Sequence, residues 1–140
     1  MTPHLRIARP VTDLDRSVAM YTQGLGLTRL AGFRDHQGFD GVMLGEPGGS
    51  HHFEFTCCPG HPVRPTPTPE DLLVFYVPDL AEWRSRCQAM QAAGFLEVTP
   101  FNPYWLDRGC TFQDADGYRV VLQRAAWGQA GASVGSDPCA

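Results

Sequence analysis

No stretch of this 140-residue chain is long and apolar enough to cross a membrane, since a spanning helix needs about 18–20 apolar residues in a row. The longest apolar run, 72–77, is the size of one strand. The opening Met1-Thr2-Pro3-His4 lacks the charged stretch and apolar core of a signal peptide, so the expected location is the cytoplasm. Cysteine is sparse and odd in number. The thiols stand at 57, 58, 87, 110 and 139 without a Cys-x-x-Cys pair, which excludes zinc-ribbon spacing. In a reducing compartment the adjacent Cys57-Cys58 reads first as free thiol at a strand end, with a redox or metal element as the alternative. Basic residues number 11 against 15 acidic ones and lie scattered, for a formal net charge of -4, so no nucleic-acid surface is expected. P-loop, GxGxxG and Ser-His-Asp patterns are also missing. What is present is an ordinary globular composition, 43% hydrophobic and 19% charged. The length suits one domain or two small modules sharing a core.

The hydrophobic pattern then gives an ordered series of elements. Residues 4–9 alternate as a short strand, with Leu5 and Ile7 on one side and His4, Arg6 and Ala8 on the other. Asp13 reads as an N-cap, and Asp15 in the first turn suits the helix dipole. Leu14, Val18, Tyr21 and Leu25 follow at helical spacing, with Gly24 placed to end the helix. Strands are expected near 27–33, 39–45 and 51–57, with turns at Asp35-His36-Gln37-Gly38 and Glu46-Pro47-Gly48-Gly49. Residues 58–69 carry prolines at 59, 62, 65, 67 and 69 and read as an extended linker.

Beyond the linker the order recurs. A strand over 71–77 precedes Asp79, an N-cap with Glu82 three residues on, which is a capping-box pattern. Leu80, Trp83, Cys87 and Met90 form an apolar stripe, Gly94 ends the helix, and strands near 95–99, 109–113 and 118–124 complete the unit. Val11-Thr12-Asp13-Leu14 returns 66 residues later as Val77-Pro78-Asp79-Leu80, and Gly41 and Gly49 return 68 residues later as Gly109 and Gly117. A period near 67 residues is too long for a solenoid and describes one βαβββ unit used twice. The expected fold is α+β: a first module over 1–57, the linker 58–69, a second module over 70–124 and a flexible tail over 125–140, where Trp127 docks locally.

Val11-Thr12-Asp13-Leu14-Asp15-Arg16-Ser17 leading to Tyr21, then Gly24-Leu25-Gly26-Leu27, and Thr111-Phe112-Gln113-Asp114-Ala115-Asp116-Gly117-Tyr118 carry a resemblance. On these motifs the chain resembles the vicinal oxygen chelate superfamily, which includes glyoxalase I, bleomycin-resistance proteins and extradiol dioxygenases. The resemblance runs from about residue 4 to residue 124. It implies that curved mixed sheets of the two modules form a ligand cup, that a homodimer is common, and that metal-using members carry ligands at four strand positions. Those positions fall here on Arg6, Glu54, Leu72 and Val121.

A divalent cation needs imidazoles or carboxylates converging at about 2.0–2.2 Å. Arg6 is a permanent cation without a lone pair to give, and Leu72 and Val121 have no donor. Only Glu54 is of ligand type, so no metal cofactor is expected. A rearranged trio of His4, His52 and Glu54 is the fallback, against which Arg6 would repel a cation. Alternation turns Phe53 and Phe55 inward and leaves His52, Glu54 and Thr56 in the cup, with an Arg6–Glu54 ion pair filling the former metal position. On the last strand it leaves Arg119, Val121 and Gln123 in the cup, and Tyr104 and Trp105 at its rim offer large apolar faces with one polar handle each.

Three functions fit this set. The first is a metal-free cup that binds a small organic molecule through Arg6, His52, Glu54, Thr56, Tyr104, Trp105, Arg119 and Gln123. The second is a metal-free lyase or isomerase with Glu54 as catalytic base and Arg6 or Arg119 stabilising negative charge. The third is a metal-dependent lyase or dioxygenase with displaced ligands. The expected partners are a small molecule and a second copy of the chain, with neither nucleic acid nor membrane.

Overall fold

A computed structural model describes residues 2–128. Two βαβββ modules follow one another. The first comprises β1 (Leu5–Pro10), α1 (Leu14–Leu25), β2 (Thr28–His36), β3 (Phe39–Gly45) and β4 (His51–Cys57). The second comprises β5 (Leu72–Tyr76), α2 (Leu80–Ala92), β6 (Leu96–Val98), β7 (Gly109–Gln113) and β8 (Arg119–Gln123), with a short 3-10 helix at Pro103–Trp105 before β7. Each module makes its own four-stranded mixed sheet, in the orders β1-β4-β3-β2 and β5-β8-β7-β6. The α+β class and the repeat are therefore as the sequence indicates. No helix among the described residues is long and apolar enough to cross a membrane.

The caps form where the acids predicted them. Asp13 accepts from the backbone N–H of Arg16, and Asp79 from that of Glu82. Gly24 does not end α1, however. The helix runs on to Leu25, and Gly26 supplies the left-handed cap at φ 70°. Gly24 is instead a contact residue. A Cβ there would stand 2.9 Å from Met90 Sδ and 3.0 Å from the Phe95 ring, so its bareness lets the second module press against α1.

That contact belongs to one core shared by both modules. Leu14, Tyr21, Leu44 and Phe55 of the first pack with Met90, Phe95, Phe112 and Leu122 of the second, all essentially excluded from solvent. Burying each such side chain contributes about 1.5–3 kcal/mol. Tyr21 sits at the seam, edge-on to Phe55 and Phe95 at 4.8 and 5.2 Å. Its hydroxyl donates to Asp114 Oδ2 at 2.8 Å. The other Asp114 oxygen accepts from the N–H groups of Asp116 and Tyr118, closing the 114–117 turn. Burial pushes the Asp114 carboxyl up, while the hydrogen bonds from Tyr21, Asp116 and Tyr118 oppose it. Two more bonds cross the seam: Tyr118 Oη donates to the Pro10 carbonyl, and the Thr12 N–H donates to Asp116.

This core lies against the helix side of both sheets, so the opposite faces, the expected cup faces, point away from it. Within one chain the two sheets stay separate and do not close on each other. An enclosed cup made by both modules of a single chain is thus corrected to two separate faces. The physical reason is that the helix sides of the two sheets are spent on the shared core. Trp127 does dock locally, its ring 5.8 Å from that of Tyr76 although largely exposed. The rest of the expected tail and Cys139 lie outside the described residues.

Candidate functional site

β1 and β4 run parallel, with Arg6 beside His52, Ala8 beside Glu54 and Pro10 beside Thr56. Phe53 and Phe55 are buried in the core, so the pleat turns His52, Glu54 and Thr56 to the other face. There the side chains form a connected array. Arg6 Nε donates to His52 Nε2 at 2.9 Å, and Arg6 Nη1 donates to Glu54 Oε2 at 3.2 Å. His52 Nδ1 and His4 Nε2 are 2.6 Å apart. Because a guanidinium can only donate, His52 Nε2 accepts, which places the proton of neutral His52 on Nδ1, facing His4. Burial, followed by the Arg6 charge, holds the His52 imidazole below its ordinary value, in keeping with that acceptor role. The Arg6–Glu54 ion pair is as expected, with the glutamate side chain 12% exposed and the arginine 48%.

This hydrogen bonding bears on the metal question. The family positions Arg6, Leu72 and Val121 offer a cation no lone pair, and Glu54 Oε2 already faces a guanidinium. The fallback trio fares no better, because both ring nitrogens of His52 are engaged by Arg6 and His4. Among the described residues no group of three His, Cys, Asp or Glu side chains is arranged to hold a metal ion.

Further along the same face lies a cavity of about 700 Å³. Its floor is Ala8 and Pro10 of β1, Thr56 of β4 and Phe39 of β3, the next cup-side positions after Arg6 and Glu54. Its wall is the proline-rich segment, through Pro59, Pro62, Val63 and Pro65. Cys57, Cys58, Arg9 and Arg64 also border it. Burial raises the Cys57 thiol, which therefore stays protonated at neutral pH. Alternation places Thr56 in the cup, but the proline-rich pattern of 58–69 reads as a linker and does not reveal the cavity it walls. The legible signal was the alternation of Arg6, Ala8 and Pro10, extended two residues beyond the charge.

The second module's cup face has another character. Leu72 lies beside Arg119, Val74 beside Val121, and Tyr76 beside Gln123, with Thr111 next to Val121 on the other side. Val121 and Gln123 are buried. Here the Asn102-Pro103-Tyr104-Trp105 segment is a capped turn, with Asn102 Oδ1 accepting from the Tyr104 N–H and the two aromatic rings edge-on at 4.8 Å. The Trp105 carbonyl presses so closely on Gly109 that no Cβ would fit, and Gln123 Oε1 crowds the same point. Thr111 Oγ1 and Gln123 Oε1 are buried without a hydrogen-bond partner, and Arg119 Nε donates to Gln113. The expected residues thus fall into two sets. Arg6, His52, Glu54 and Thr56 share one face, Arg119 and Gln123 another, and no hydrogen bond or ion pair among the described residues joins them.

Comparison with known proteins agrees with this architecture. Residues 5–56 match the YycE-like N-terminal domain and residues 70–124 the YycE-like C-terminal domain. The chain is 42% identical over 121 residues to the uncharacterised protein YycE of Bacillus subtilis, covering 86% of this chain and 87% of that one. The crystal structure of the B. subtilis YycE protein, of unknown function, superposes with a TM-score of 0.82 over 90% of this chain and 91% of that one. Fosfomycin resistance protein FosX of Mesorhizobium loti shares the fold at 12% identity and TM-score 0.67, over 87% of this chain and 90% of FosX. Glyoxalase I of Leishmania major does so at 22% identity and TM-score 0.67, over 88% and 86%. On the match of both modules and the YycE relative, this chain belongs to the YycE-like family, within the vicinal oxygen chelate superfamily.

Proposed function

We propose that the protein binds a small, mostly apolar organic molecule against the first module's cup face, without the superfamily's metal. The observation that carries this reading is the 700 Å³ cavity lined by Ala8, Pro10 and Thr56, which lie two or more residues along β1 and β4 from the Arg6–His52–Glu54 array. Small-molecule sites are typically about 300–1,000 Å³, largely apolar, with a few placed polar groups. In this reading Ala8, Pro10, Phe39 and the linker take the apolar body, while Arg6, His52 and Thr56 orient a polar end. Glu54 acts as a fixed acceptor rather than a general base, since one of its oxygens is committed to Arg6.

A second copy of the chain completes the cup in this reading. β1 and β5 are edge strands, paired on one side only. Phe39 beside the cavity and Val63 on its wall are 44% and 59% exposed, apolar surface a partner would cover. The free thiols of Cys57, Cys58, Cys87 and Cys110 suit a reducing, cytoplasmic setting.

Titration with the neutral fluorophore N-phenyl-1-naphthylamine tests the cavity. Saturable binding to wild type and its loss in Ala8→Trp, with unfolding temperature little changed, is the expected result; equal binding by Ala8→Trp overturns it. Near-stoichiometric zinc, nickel, manganese or iron in protein purified without chelator would overturn the metal-free part. A solution mass of one 15.4 kDa chain rather than two would overturn the dimer.

A further inference from the structure

The chain contains no lysine, and its eleven basic residues are all arginines. Three of them line one recess of about 300 Å³ on the other side of the second module. Arg84 comes from the second turn of α2, Arg108 from the segment leading into β7, and Arg124 from just beyond β8. Leu80, Leu106 and Trp83 supply its apolar lining, and Asp107 its one carboxylate. The recess is separate from the cup. Trp83 anchors it on the helix side of the sheet by donating from Nε1 to the carbonyl of Leu122, a core residue.

The arginines are organised rather than merely near one another. The Arg124 N–H donates to the Arg108 carbonyl at 2.7 Å, which fixes two of the three backbones together. The Arg124 guanidinium lies 5.9 Å from the centre of the Trp83 ring, so its direction is set by an aromatic face. Arg108 has a weak partner in Asp107 at 4.0 Å, whereas Arg84 and Arg124 form no ion pair among the described residues. In a chain of net charge -4, gathering three permanent cations with one exposed carboxylate leaves an unbalanced local charge of +2. Planar guanidiniums match the paired oxygens of phosphate and carboxylate groups.

We propose that this recess is a second ligand site, taking the oxyanion of a small phosphorylated or carboxylated molecule whose apolar part lies along Leu80 and Leu106. Those leucines are 41% and 56% exposed, and a ligand carrying both characters would cover them. The site does not rest on the cup reading and shares none of the side chains proposed to bind there.

The test titrates the full chain with phenyl phosphate, phenylacetate and benzyl alcohol, followed by tryptophan fluorescence and calorimetry at low salt. Saturable binding of one or both oxyanions, with none of the neutral alcohol, is expected, and the stronger oxyanion identifies the ligand class. The double variant R84Q/R124Q should bind at least tenfold more weakly, while R16Q/R29Q, with the same change in net charge elsewhere, should bind as wild type does. Leu106→Asp, at an exposed position, puts a carboxylate into the recess and should abolish binding with the fold intact. Absence of saturable oxyanion binding, equal losses in the two double variants, or unchanged binding by R84Q/R124Q would each overturn the proposal.

Discussion

The two modules share strand order, caps and a common core, yet their cup faces are opposites. The first presents Arg6, His52 and Glu54 beside an open cavity. The second presents Leu72, Val74 and Val121, with Val121 wholly buried and Gly109 pinned beneath Trp105. Their helix sides remain alike because both must meet in one core, where volume and shape are constrained by close packing. The cup sides carry no such duty and have diverged. One remains a polar, accessible floor; the other is packed shut.

Five experiments bear on that contrast and on the seam between the modules, beginning with the largest effect. On the packed face, Val121→Glu buries a carboxyl without a partner and should cost about 3–5 kcal/mol by chemical denaturation at neutral pH. The mirror change, Glu54→Val on the open face, removes half of a partly solvated pair and should cost under about 1 kcal/mol. Similar costs for the two would erase the distinction between faces. At the seam, Gly24→Val forces Met90 and Phe95 aside, and a loss of about 1–3 kcal/mol is expected, with both sheets melting in one transition. Two separated transitions would mean that the modules fold independently. Tyr21→Phe leaves a buried Asp114 oxygen without its donor and should cost about 1–2 kcal/mol.

The smallest effect concerns pH. His52 is held below the ordinary imidazole value of 6.5, so the unfolded chain binds its proton more readily than the folded one. Stability from this group is therefore present above about pH 6.5 and lost as pH falls toward the folded value. In an NMR titration His52 should show a midpoint under 6.5. Arg6→Ala should move that midpoint only part of the way back, because burial is the larger cause. A midpoint at or above 6.5 in wild type would contradict the acceptor role of Nε2.

Much of this was legible in the chain. Asp13 and Asp79 announced both helices, the 66-residue echo announced the repeat, and alternation in 51–57 put His52, Glu54 and Thr56 on one face. The Arg6–Glu54 pair followed from charge and strand position together. Gly24 was misread because a glycine near a helix end has two uses, a left-handed cap or a close approach, and only the neighbouring helix decides between them. The cavity was missed for a related reason. Local pattern shows that a proline-rich segment will not join a sheet, but not what it lies across.

The proline wall has a consequence for how such a protein can change. A segment that belongs to neither sheet carries no strand register, so substitutions there leave both modules and their shared core in place. Its prolines also restrict the chain in advance, so in the proposed binding role little ordering would remain to be done. The same frame is used twice, and the segment joining the two copies is the part that walls the cavity on one of them.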